Sequence, residues 1–159
     1  MRVPYKSFHL AVAVAALFLA VTGFEATNNS PRPSDVSVLE GYQQIQLALA
    51  YDSLKEIPQN AEALAKTVRN DADKRIPADI ANHADELAKD KDLKTARDDF
   101  KNLSTALISY LEKSHINGTG YQENYCPMVK ANWLQKDNKV NNPYVGKSMS
   151  TCGTPKRSF

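Results

Sequence analysis

The stretch that decides the fold is residues 92–113, DLKTARDDFKNLSTALISYLEK. Asp92 can cap a helix that starts after it, because an aspartate side chain accepts a free N–H of the first turn. Apolar residues then recur in steps of three and four, which is the pattern of a helix packed on near-antiparallel neighbours. The segment HINGTG follows, and Gly118 and Gly120 permit the positive φ angles that end helices.

Three shorter helices are predicted upstream. Ser37 and Glu40 match a capping box that would start the first helix. Pro58 and Pro77 fit the first turns of the second and third, where the missing N–H costs nothing. Apolar stripes at helical spacing follow each start: Val38, Tyr42, Ile45 and Leu49, then Ala61, Leu64, Ala65 and Val68, then Ile80, His83, Ala84 and Leu87. We therefore expect an all-α fold with an up-and-down four-helix bundle over residues 37–117.

The N-terminus has the pattern of a secretory signal peptide over residues 1–23. Arg2 and Lys6 precede the apolar run LAVAVAALFLAVTGF, which is too short and too close to the N-terminus to be typical of a membrane-spanning helix. Val21 and Gly23 suit the −3 and −1 positions of a cleavage site. We expect a mature chain that begins near Phe24 with a polar linker over 24–36, is periplasmic or secreted, and has no membrane span.

The charge balance argues against nucleic-acid binding. The chain has 20 Lys and Arg against 18 Asp and Glu, a formal net charge of +2. Loss of Arg2 and Lys6 with the predicted signal peptide would leave a neutral chain. Neutralisation of phosphates by basic side chains supplies most of the affinity of nucleic-acid binders.

Residues 118–159 show no sustained periodicity. They include NYCPMVKANWLQ at 124–135 and NPYVGKSMSTCG at 142–153. Short strands around Trp133 or Tyr144 are compatible with the pattern. Aromatic residues favour a covered surface, so we predict an irregular segment that packs back onto the bundle as part of the same domain.

Both cysteines lie in this segment, and two interpretations remain open. An even number of cysteines in an exported protein favours a disulfide, here Cys126–Cys152. Met128 and Met149 lie next to the cysteines, however, and thiolate with thioether is a donor set for Cu(I) and related soft ions. His83 on the third stripe can add an imidazole, although a histidine there is also compatible with ordinary core packing. An enzymatic function is less favoured than either interpretation, since the sequence has no G-x-S-x-G nucleophile elbow.

Two stretches carry a resemblance to a known family: the C-terminal pattern YCPM…NWLQ…NPYVGKSM..CG and, upstream, HADELAKDKDLKTARDDFKNLSTAL. The chain resembles a bacterial family of exported domains of unknown function. Members occur alone or fused to periplasmic adaptor subunits of heavy-metal (copper or silver) efflux systems. The resemblance covers roughly residues 36–155. Many members have a histidine where this chain has Tyr125. The family pattern falls on His83, Arg97, Phe100, Ser104, Cys126, Pro127, Met128, Trp133, Asn142, Pro143, Tyr144, Gly146, Met149, Cys152 and Gly153.

The resemblance implies a periplasmic helical domain linked to copper or related metals. We therefore expect a non-enzymatic protein that buffers Cu(I) or hands it to a periplasmic efflux or metallochaperone protein. The expected ligands are Cys126, Met128, Met149, Cys152 and His83. The expected structural residues around the site are Tyr125, Pro127, Trp133, Asn142, Pro143, Tyr144 and Gly146. The alternative is a structural or interaction module with a Cys126–Cys152 disulfide and no metal.

Overall fold

The computed structural model describes Met1 and residues 29–159. Apart from Met1, the predicted signal peptide with its cleavage site at Val21 and Gly23 lies outside the described residues, as does the first part of the predicted linker. None of the helices in the described part combines the length and hydrophobicity that a membrane span requires.

Four helices form the body of the protein: α1 Pro33–Ala50, α2 Ile57–Arg69, α3 Ala78–Leu87 and α4 Leu93–Lys113. Each helix packs against the next one along the chain. The apolar stripes predicted from the sequence are buried in one core, with the exception of His83, which is partly exposed. Asp92 caps α4 as predicted, since its side chain accepts the Thr95 N–H at 2.9 Å.

The start of α1 differs from the prediction. The helix begins at Pro33, and the carboxylate of Asp35 accepts the backbone N–H of Arg32 at 2.8 Å. Ser37 therefore lies inside the helix, where its hydroxyl donates to the Pro33 carbonyl at 3.0 Å. The predicted linker ends too late for this reason: a proline at the first helical position and an acid two residues on form an earlier start.

The C-terminal segment contains a sheet, so the all-α prediction is correct only for the bundle. Strands β1 Gln122–Cys126, β2 Ala131–Gln135 and β3 Thr154–Ser158 form an antiparallel sheet in the order β2-β1-β3. A 3-10 helix, Gly146–Met149, lies between β2 and β3. The strand expected around Trp133 is β2, whereas Tyr144 lies in a turn. Strands of five residues are too short to show a clear period in the sequence.

The segment packs back onto the bundle, as predicted. Strand β2 lies against α4 and α1. Aromatic rings fill the contact: Tyr42 stacks on Phe100 with centroids 4.8 Å apart, Phe100 meets Tyr144 at 6.0 Å, and Tyr144 meets the edge of Trp133 at 6.0 Å. Offset and edge-to-face pairs of this kind add stability beyond the apolar area they bury.

Candidate functional site

The two cysteines meet at one corner of the sheet. Cys126 ends β1, and Cys152 lies just before β3, the strand that pairs with β1. Both are free thiols, and their Sγ atoms are 3.5 Å apart. The Cys126 side chain is fully buried, while Cys152 is partly exposed. The pairing of β1 with β3 thus joins two sulfurs that are far apart along the chain.

The surroundings of Cys126 favour its thiolate. Burial raises the pKa of the thiol, but hydrogen bonds from the Val129 backbone N–H, Cys152, the Asn142 side chain and the Met128 backbone N–H together lower the pKa below its ordinary value. The pKa of Cys152 is raised, chiefly by its hydrogen bond to Cys126 and then by burial. As the pH rises, the buried Cys126 therefore loses its proton before Cys152 does.

Asn142 holds the loop that carries Cys152. Its side chain is fully buried, and its Nδ2 donates to the Cys152 carbonyl at 2.5 Å. Its Oδ1 accepts the Tyr144 N–H at 2.8 Å, and its own backbone N–H donates to the Ser150 carbonyl at 2.8 Å. One asparagine therefore positions both sides of the loop next to the sulfur pair.

Trp133 closes the site on the inner side. Its ring is fully buried, and Gly153 lies so close to it that a Cβ at this position would overlap the ring. Tyr144 packs against the same ring, and its hydroxyl donates to the Asn132 carbonyl. Both rings are buried, so aromatic side chains pack the inner side of the loop.

Arg97 connects this loop to the helices. Its guanidinium donates to the carbonyls of Pro143 at 2.9 Å and Leu49 at 3.0 Å, and it pairs with Asp52 at 2.5 Å. Gly146 lies directly on this ion pair with a φ of +57°, and a Cβ there would overlap both partners. Arg97, Pro143 and Gly146, all singled out in the sequence analysis, thus form one contact.

The two methionines flank the site but are exposed to solvent. Met128, in the turn after Pro127 between β1 and β2, is 61% exposed, and Met149, at the end of the 3-10 helix, is 44% exposed.

Tyr125 of β1 is partly exposed, and Lys156 Nζ lies 5.9 Å from its ring centroid.

His83 is not brought to the sulfurs. It lines a groove between α3 and α4, and its Nδ1 lies 3.5 Å from the Glu86 carboxylate. Helix α3 packs on α2 and α4, whereas the sheet contacts α4 and α1 through β2. Among the described residues, no cysteine or methionine lines the groove. Within the described part of the chain, no three His, Cys, Asp or Glu side chains cluster as a metal site.

Gln135 and Asp52 organise the site without having been singled out in the sequence. Gln135 is almost fully buried; it accepts the Trp133 indole N–H at 2.9 Å and donates to the carbonyls of Asp137 and Lys139. Asp52 holds Arg97 and accepts the Lys147 N–H at 3.2 Å. No local pattern marks Asp52, because its partners Arg97 and Lys147 are distant along the chain. These partners of Gln135 lie within four residues of it, but in a segment without periodicity that gives no signal of their contact.

Comparison with known proteins places the bundle in a family. The family model described as a protein of unknown function (DUF3347) matches residues 38–119. This range is about half of the chain and includes most of α1 and all of α2, α3 and α4, but it ends before β1 and both cysteines. No curated protein and no solved structure matches the chain. The chain therefore belongs to the DUF3347 family of proteins of unknown function.

Proposed function

We propose that this protein is an exported, non-enzymatic carrier of Cu(I), with Cys126 and Cys152 as its two thiolate ligands. The observation that carries the proposal is the 3.5 Å separation of two free sulfurs at one corner of the sheet. Thiolates are soft donors that select Cu(I) over hard cations. Copper is the cargo here, to be buffered or handed to a periplasmic efflux or metallochaperone protein.

The local electrostatics suit a soft cation. Ligating cysteines must lose their protons, so metal affinity depends on pH. The hydrogen bonds that lower the Cys126 pKa supply one thiolate readily, and a bound cation would favour ionisation of Cys152 as well. Because Cys126 is buried and Cys152 is partly exposed, the ion enters and leaves from the Cys152 side.

The exposed thioethers of Met128 and Met149 are assigned as auxiliary ligands. Met128 lies two residues after Cys126 and Met149 three residues before Cys152, so each thioether is close along the chain to one of the two thiolates. Their exposure also allows them to present the ion to a partner. His83 is left out of the ligand set, because it lies in the groove between α3 and α4.

The test is an anaerobic Cu(I) titration of the reduced chain against a competing chelator. We expect one Cu(I) per chain, and loss of binding in Cys126→Ser and in Cys152→Ser. Met128→Leu and Met149→Leu keep the shape but remove the sulfur, and each should weaken binding about tenfold, which is about 1.4 kcal/mol. His83→Asn is the matched control and should bind as the parent chain does. Binding that survives either serine substitution contradicts the assignment.

The same separation of the sulfurs supports a second candidate function. A Cys126–Cys152 disulfide needs only a small approach of the two Sγ atoms and would restrain the C-terminal segment of a structural or interaction module. In that case the protein isolated from its native compartment would resist thiol labelling and bind no Cu(I). Two labelled thiols in that material would exclude the permanent disulfide.

A further inference from the structure

We propose that Cys126 and Cys152 form a thiol–disulfide exchange centre, in which Cys152 reacts with the sulfur of a partner and Cys126 resolves the mixed disulfide. This activity goes beyond metal carriage, and it requires no metal.

Access decides which sulfur reacts first. The Cys126 side chain has no exposed surface, and the Asn142 side chain is hydrogen-bonded to its sulfur. Cys152 lies on the loop between the 3-10 helix and β3 and is partly exposed. An exchange reaction requires the incoming sulfur to reach its target along the line of the bond that breaks. Only Cys152 offers such an approach.

The distance between the sulfurs decides how the reaction ends. A disulfide requires a sulfur–sulfur bond of about 2.05 Å. The present separation of 3.5 Å is about 1.5 Å longer than that bond, and the loop that carries Cys152 is held next to β1 by the pairing of β1 with β3. Cys126 is therefore in place to attack a mixed disulfide on Cys152 as soon as it forms.

The electron balance is that of ordinary exchange with a disulfide, RSSR. The accessible Cys152 thiol loses its proton and attacks one sulfur of RSSR, the S–S bond breaks, and one RS⁻ leaves. The Cys126 thiolate then attacks Cys152 Sγ, a second RS⁻ leaves, and the Cys126–Cys152 bond forms. Two electrons pass from the two protein thiols to RSSR, and the two thiol protons are taken up by the two RS⁻ groups. In the reverse direction a thiol attacks Cys152, and Cys126 is the leaving group.

The test uses the reduced full chain, a metal chelator and the small neutral probe hydroxyethyl disulfide, with acid quenching and mass spectrometry. The parent chain should become two hydrogens lighter and release two equivalents of mercaptoethanol. Cys126→Ser should stop at a stable single adduct on Cys152. Cys152→Ser should react at least about tenfold more slowly, because the remaining thiol is buried.

A second measurement on the parent chain does not depend on how the variants fold. In a brief pulse of iodoacetamide under native conditions, Cys152 should be alkylated about tenfold faster than Cys126. An adduct that forms first on Cys126, or one that stays on Cys152 of the parent chain without ring closure, would overturn the proposal. Because chelator is present, these outcomes are independent of the Cu(I) titration, so either proposal can fail alone.

Discussion

The Tyr42 hydroxyl lies 2.7 Å from Ser104 Oγ in the interior of the protein, and it also accepts the Leu134 N–H at 3.1 Å. This hydroxyl joins α1, α4 and β2 at a point without solvent access, because Tyr42 and Ser104 have no exposed surface. The sheet that carries the sulfur pair is thereby fixed to the bundle.

Removal of this hydroxyl should destabilise the protein. Tyr42→Phe leaves the buried Leu134 N–H without the Tyr42 hydroxyl as its acceptor and removes one hydrogen bond of Ser104, which costs about 1–3 kcal/mol in the free energy of unfolding. Urea denaturation measures the change. Tyr51→Phe is the control, because Tyr51 is 58% exposed, and it should leave stability unchanged. Equal effects of the two substitutions would show that the buried hydroxyl is not a link between bundle and sheet.

Gly146→Ala should be more harmful than an alanine at another glycine of positive φ. Gly146 and Gly118 have φ angles of +57° and +77°, so alanine is strained at both by about 1–2 kcal/mol. Only at Gly146 would the new methyl group also meet Asp52 and Arg97, whereas Gly118 faces open space. We expect Gly146→Ala to lose about 1–3 kcal/mol more than Gly118→Ala, by thermal or urea unfolding. A similar loss at both positions would mean that the Arg97–Asp52 pair adapts freely.

Ionisation of Asp90 should lower the free energy of unfolding as the pH rises. Its burial, together with the neighbouring charges of Asp99 and Asp92, raises its pKa to about 6. A carboxyl with a raised pKa holds its proton better in the folded state, so its unfavourable effect is absent below about pH 4 and complete above about pH 6.

Asp90→Asn removes this effect. The variant should be more stable than the parent chain at neutral pH, and the difference should shrink as the pH falls through about 6 towards 4. Urea unfolding at both ends of this range measures the change. Asp137→Asn, in an exposed loop, is the matched control. A stability difference that does not vary with pH would contradict the raised pKa.

The predicted signal peptide is tested by the mass of the exported chain. Cleavage after Gly23 gives a protein that begins at Phe24, and Gly23→Arg should block processing because the −1 position requires a small residue. Mass spectrometry of the periplasmic or secreted fraction reads both results. Recovery of the unprocessed chain from the cytoplasm would exclude export, and with it the periplasmic part of the proposed function.

The helices were predictable because their information is local. The apolar steps of α4 and its cap at Asp92 lie within one short segment, and packing in the structure agrees with both. The start of α1 was less predictable from the sequence. Ser37 and Glu40 match a capping box, but the helix starts earlier, at Pro33 with Asp35 in its first turn. Two local patterns competed there, and only the folded chain shows which one is used.

The sequence by itself determined four amphipathic helices, a compact C-terminal segment rich in aromatic residues, and the residue types of a thiol site. The tertiary structure alone decided that β1 pairs with β3, because a five-residue strand has no preferred partner until the bundle holds it in place. That pairing brings Cys126 to Cys152. The packing of α3 between α2 and α4 likewise places His83 in a separate groove, since a helical stripe fixes a face but not the neighbour that the face meets.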